Sequence, residues 1–189
     1  MTTENKVKLR FGVLLGIVSA AIVARIAMPQ LLGRPFNVSP IDAIALFSGC
    51  YFSRKWAAFI VPLLAVWVSD IFTTRLLIGH WELFYQGFYW QYACYPIIVM
   101  IGSLLSGKVK VMNLTIASLG SSVLFFMISN FGTWASFTMY PKTIAGLVTC
   151  YAAGVPFFSG TLISDLIYTA VLFGSFELAK RRFPVLALK

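Results

Sequence analysis

A chain of 189 residues in which 59% are apolar and only 11% charged is far from a soluble domain, where roughly 25% carry charge. The length allows one compact bundle, and the net charge of +9 does not point to nucleic acid, because the cations gather in gaps between apolar runs rather than on a polar face. Cys50, Cys94 and Cys150 lie inside apolar stretches with no CxxC pair, so they suggest buried thiols rather than a disulfide framework or a zinc site.

The cations alternate from gap to gap. Lys6, Lys8 and Arg10 precede the first apolar run, Arg54 and Lys55 follow the second, Lys108 and Lys110 follow the fourth, and Lys180, Arg181, Arg182 and Lys189 follow the last. The gaps between hold only Arg34, Arg75 and Lys142. By the positive-inside rule this predicts an all-α integral membrane protein: six spans in a single domain over residues 1–189, both termini cytoplasmic, three aromatic-rich loops outside.

The first span is expected at about 11–28, stopped by Pro29, with Gly12, Gly16, Ala20 and Ala24 at every fourth position. Such a ladder of small residues lets a second helix approach closely, either within the bundle or on a partner. Its basic start and Ser19 to Ala21 mimic a secretory leader, but Arg25 follows at once and the apolar pattern resumes, so a retained span is expected.

The second span, about 40–52, opens on Ser39-Pro40-Ile41-Asp42, a start signal close to a capping box, which would make Asp42 a cap. At about 20 Å it is shorter than the ~30 Å hydrocarbon core, so Gly33 to Val38 is expected to dip into the bundle. Further spans are expected at about 56–77, 90–106, 111–129 and 159–178. The apolar run at about 143–155, bounded by Pro141 and Pro156, is too short to cross. A seventh span would also reverse the charge pattern, so a re-entrant or interfacial helix of the last outer loop is expected.

Oriented this way, Arg25, Asp42, Asp70, Arg75, Lys142 and Asp165 all fall at the outer ends of their helices, where a charge is costly unless paired or facing water. Individually each has a structural explanation: Arg25 pairing with Asp70 or Asp165, Asp42 capping, Arg75 reaching headgroups. As a cluster, they suggest an outward-facing binding site, with Asn37 and Asn130 adding amides. Trp81, Tyr85, Trp90 and Tyr92 crowd one outer loop, and Phe131, Trp134, Phe137 and Tyr140 the next. Interfacial belts account for part of this. The remainder suits the capture of a flat, partly polar small molecule. His80, the sole histidine, is a candidate ligand contact or an ordinary loop residue. No HExxH, GxSxG or Walker motif is present, so neither an enzyme nor a self-energised pump is indicated, and no cofactor is expected.

The segments Phe36-Asn37-Val38-Ser39-Pro40-Ile41-Asp42, Ser69-Asp70 and Met139-Tyr140-Pro141-Lys142-Thr143, with this topology, resemble the S components of energy-coupling-factor vitamin transporters and a bacterial membrane-protein group of that fold. The resemblance implies a substrate-binding subunit of the bacterial cytoplasmic membrane. It would capture a vitamin-like compound outside, cobalamin being one candidate, and dock on a transmembrane coupling subunit driven by ATPases. Ala20 and Ala24 match the family's AxxxA docking motif, and Cys94 or His80 would be the counterpart of a corrin-cobalt ligand. Two other readings compete. One is a non-transporting scaffold that docks through Gly12 to Ala24, and the other is a lipid-acting membrane enzyme using Asp70, Asp165 and His80.

Overall fold

The computed structural model describes residues 3–32 and 39–187, with side chains of the first helix described over 4–27. Asn37 and the expected dip at 33–38 lie outside the described residues. Among the described residues the chain is all-helical: α1 Thr3–Leu32, α2 Ile41–Tyr51, α3 Lys55–Ile78, α4 Phe88–Leu104, α5 Val111–Ser136 and α6 Ile144–Arg182, followed by a short 3-10 turn, Pro184–Ala187. Four of these, α1, α3, α5 and α6, are long and apolar enough to cross a membrane.

The distribution of side chains is inverted relative to a soluble protein. Ile60, Leu64, Val68 and Phe72 on α3, and Ile163, Ile167 and Val171 on α6, face outward, while Ser118, Ser121 and Ser122 of α5 are fully buried. Water would oppose this arrangement, whereas lipid favours apolar residues outside and hydrogen-bonding groups satisfied within.

The centre of the bundle is α2, the shortest helix, which touches every other α-helix. Ten of its eleven residues are buried. Its closest neighbour is α4, and two glycines set that distance. A Cβ on Gly49 would strike the Val99 carbonyl, and one on Gly102 would strike the Leu46 carbonyl. Small residues that carry helix contact are thus on α2 and α4, and also on α5 and α6, where Gly132 faces Trp90 and Gly154 faces Asn130. The ladder on α1 points elsewhere: Arg10, Leu14, Val18 and Ala21 form its buried face, whereas Gly12, Gly16 and Ala20 are exposed and Ala24 half-buried. A Cβ on Gly12 or Gly16 would meet nothing. Packing of this ladder within the bundle is therefore not what the chain does.

Three boundaries differ from expectation. The first helix runs through Pro29 to Leu32. The expected short helix at about 143–155 is not separate: it continues through Pro156 into the last span as one helix of 39 residues. Pro62 and Pro96 likewise lie inside α3 and α4. A proline costs a helix one hydrogen bond, and apolar helices held by neighbours absorb that cost, so proline is a poor stop signal here. The start of α2 also differs. Its N-cap is Pro40 without a side-chain cap. Ser39 is instead tied to α6, its N–H donating to Ser164 Oγ at 2.9 Å and its carbonyl accepting from that hydroxyl at 3.0 Å. Asp42 is buried and does not cap its helix.

The cations Arg10, Arg54, Lys110 and Lys180 share one end of the bundle. Arg10 donates to the Tyr51 carbonyl at 2.9 Å, Tyr51 Oη to Glu177 at 2.5 Å, and Lys180 to Glu177 at 2.8 Å. The aromatic loops close the other end. There Trp90 Nε1 donates to Ser136 Oγ at 2.9 Å, and Gln86 donates to the Ser136 carbonyl at 3.1 Å.

Candidate functional site

Two groups of polar residues interrupt the apolar interior. In the first, Arg25 of α1 donates Nη2 to Asp70 Oδ1 of α3 at 2.7 Å and Nη1 to the Ser69 hydroxyl. Ser69 in turn donates to the Ala65 carbonyl of its own helix at 2.7 Å. Tyr92 of α4 donates its hydroxyl to the other Asp70 oxygen at 3.1 Å. With side chains only 14% and 11% exposed, Arg25 and Asp70 form an ion pair largely removed from solvent, and the serine and tyrosine satisfy the remaining hydrogen-bonding positions.

The second group joins α2, α5 and α6. The Asp42 and Asp165 carboxyls face one another, and Ser122 donates to Asp165 Oδ2 at 2.5 Å. Thr169 and Ser118 continue the network one turn away, Thr169 Oγ1 donating to Ser118 Oγ at 3.4 Å. Asp165 is 2% exposed. Neither carboxyl lines a described cavity, although Thr169 does, and the group's evident role is to hold the central helix against α5 and α6.

A route from the first group to the surface runs through Tyr85. This loop tyrosine is half-buried, and burial together with the neighbouring Asp70 carboxylate holds its phenol above the usual tyrosine range. Tyr85 also lines a cavity of about 280 Å³ with Trp90, Ser129, Thr133 and Phe137. A second cavity of about 220 Å³, between α4, α5 and α6, shares Gln91, Ser129 and Thr133 with it and adds Asn130 and Phe158. Together they offer aromatic faces beside hydroxyl and amide groups, and Tyr85 is the residue near the ion pair that lines one of them.

The structure therefore brings Arg25, Asp70 and Tyr85 together, places Trp90 and Asn130 on the adjoining cavities, and gathers Asp42 and Asp165 in a separate buried pair. The remaining expected site residues belong to loop architecture. Arg75 donates to the Gly79 carbonyl at the end of its own helix and lies 5.8 Å from the Trp81 ring. Lys142 donates to the Trp134 and Phe137 carbonyls, and Trp134 Nε1 donates to the Pro141 carbonyl at 2.8 Å, which closes the α5–α6 turn. Trp81 and His80 are exposed, and Tyr140 is half-buried in the α5–α6 turn. Cys94 is fully buried, its thiol donating to the Trp90 carbonyl at 3.3 Å, and so offers no open ligand position. Sequence reasoning missed Ser122, Ser129, Thr133 and Gln91 as site-forming residues. Of these, only Ser122 carried a signal, as one of three serines on a single face of an apolar helix.

An all-helical bundle with an apolar exterior, four membrane-length helices and a buried ion pair defines a polytopic helical membrane protein. The chain belongs to the family of unknown function DUF6580, matched over residues 5–186. No curated protein and no solved structure matches it.

Proposed function

We propose that this protein is a membrane-embedded substrate-binding component for uptake of a small, flat, vitamin-like or heterocyclic nutrient. The single observation behind this reading is that Tyr85, which lies near the Arg25–Asp70 pair, lines one of two adjoining cavities at the aromatic end. An ion pair kept within apolar helices is costly to maintain for architecture alone. In this reading all six helices lie in the bilayer, with the basic end and both termini in the cytoplasm and the aromatic end outside. The substrate stacks on Tyr85 and Trp90, with Ser129, Thr133 and Gln91 supplying hydrogen bonds. Cavities of about 280 and 220 Å³ favour a compact heterocycle over a corrinoid. A separate coupling module with ATPases supplies the energy, as in the transporters the sequence resembles.

The test is to purify the wild type in mild detergent, extract it with organic solvent and search by mass spectrometry for a retained small molecule. Ser129→Leu, which fills the shared wall of both cavities without touching the ion pair, and Asp70→Ala are the controls. A compound present in the wild type and absent from both variants supports uptake. A compound that survives Ser129→Leu overturns the placement of the site.

One observation favours a second reading, that of a scaffold subunit: among the described residues, the face of α1 bearing Gly12, Gly16 and Ala20 is exposed, and a Cβ on either glycine would meet nothing. Under that reading Ala20→Leu with Ala24→Leu dissociates a stable membrane complex, and the purified protein carries no small molecule. In the uptake reading the same face docks on the coupling subunit, so loss of transport with retained substrate binding separates the two.

A further inference from the structure

At the basic end, α1 and the turn between α2 and α3 enclose a cavity of about 150 Å³. Its walls are apolar, formed by Val7, Phe11 and Phe52, with the Phe11 and Phe52 rings edge to face at 5.5 Å. The polar part of its lining carries the cations Lys8, Arg10 and Arg54, and no carboxylate lines it. Arg10 is fixed there, donating to the Tyr51 carbonyl at 2.9 Å and lying 5.9 Å from the Phe176 ring. Arg54 forms no ion pair among the described residues, and Lys8 pairs with Glu4 at 2.6 Å on exposed surface, where solvent screens the pair. Helix α3 begins beside Arg54 with no side-chain cap, which adds the partial positive charge of its first turn.

With three cations and no carboxylate in its lining, this small apolar cavity favours an anion. The apolar walls restrict that anion's chemistry, since a small hydrated anion gains nothing from Val7, Phe11 and Phe52, whereas an amphiphile with an acidic head and a hydrocarbon body uses both parts. Basic pockets at the ends of membrane helices suit acidic phospholipid heads. We propose that this cavity binds an anionic phospholipid, with Lys8, Arg10 and Arg54 around the phosphate and the start of an acyl chain against Phe11 and Phe52. The site uses no residue of the Arg25–Asp70 group, so it stands whichever small molecule, if any, the aromatic end captures.

The experiment is native mass spectrometry of the full-length protein in detergent, with equal phosphatidylglycerol and phosphatidylcholine added. Phosphatidylglycerol is expected to be retained preferentially. The preference falls about tenfold or more in Lys8→Gln/Arg54→Gln, as expected for two charges near the headgroup. It also falls in Val7→Trp, which fills the cavity with every cation in place, and it survives Lys108→Gln, a cation at the same end outside the cavity. Equal retention of the two lipids in the wild type overturns the proposal. Retention that survives Val7→Trp also overturns it, since diffuse surface charge then suffices. Displacement of the lipid by soluble glycerol phosphate overturns the lipid assignment in favour of a soluble phosphate ligand. Unchanged circular dichroism and elution volume for each variant keep lipid loss distinct from misfolding.

Discussion

Asp70 and Asp165 pose the same problem and receive opposite solutions. Each is an aspartate in an apolar helix, each follows a serine, and each is buried. Asp70 is met by a cation: Arg25 neutralises it, Tyr92 donates to its second oxygen, and Tyr85 connects it to the cavities at the aromatic end. Asp165 is met by another acid, Asp42, and by the Ser122 hydroxyl, and neither carboxyl lines a described cavity. The preceding serines differ in the same way. Ser69 accepts from Arg25, whereas Ser164 exchanges two hydrogen bonds with the Ser39 backbone and ties the chain entering α2 to α6. A carboxylate paired with a cation keeps its charge and can rearrange toward a polar ligand. A carboxyl facing another acid and held by a neighbouring hydroxyl serves instead to connect helices.

The largest effect expected from this contrast is at the ion pair. Arg25→Ala or Asp70→Ala leaves one buried charge without its partner and should cost about 3–5 kcal/mol of stability, read by denaturant titration in mixed micelles. The double substitution Arg25→Ala/Asp70→Ala should cost clearly less than the sum of the two singles, because no lone charge is left. Additive singles would mean that the pair is not coupled, and the comparison with Asp165 would collapse.

Next in size is the difference between asparagine substitutions at the two sites. Asp165→Asn keeps hydrogen-bonding groups toward Asp42 and Ser122 and removes a carboxyl whose partner is also an acid, so it should be nearly neutral. Asp70→Asn removes the only carboxylate paired with Arg25 among the described residues and should cost roughly 2 kcal/mol more than Asp165→Asn. Equal costs would show that both sites carry charge of the same kind. Smaller again is Ser122→Ala. It takes one donor from Asp165 and leaves the Asp42 contact, at an expected cost of about 1–2 kcal/mol and with no change in small-molecule retention.

The contrast between the two aspartates was only partly legible in the sequence. The presence of helices at all six expected places follows from apolar runs separated by charged or turn-forming residues, because membrane helices need little beyond length and hydropathy. The partner of Arg25 was narrowed to Asp70 or Asp165 and no further, because both follow serine in otherwise apolar segments and sequence holds no record of which helix lies beside α1. The cap assigned to Asp42 followed a sound local rule, but burial and a facing acid outweighed it. Pro156 misled for a related reason: the proline rule is calibrated on helices in water, where a freed carbonyl is readily solvated and the helix readily ends. The serines and threonines of α4, α5 and α6 that line the cavities look like ordinary small polar residues until the helices are placed side by side.

The smallest expected effect is at Arg75, and it tests whether charge at the aromatic end is functional merely by being there. Arg75, unlike Arg25, ends in an exposed position, donating to the Gly79 carbonyl where α3 turns through a left-handed glycine (φ +82°) and lying against the Trp81 ring. Solvent screens such contacts, and water replaces the guanidinium at a helix end with little loss. Arg75→Ala should therefore change stability by no more than about 0.5 kcal/mol and leave any retained small molecule in place. If Arg75→Ala instead abolished retention while Arg25→Ala did not, the binding site would lie in the exposed loop around Trp81 and His80. The buried pair at Asp70 would then be architecture, as the pair at Asp165 is.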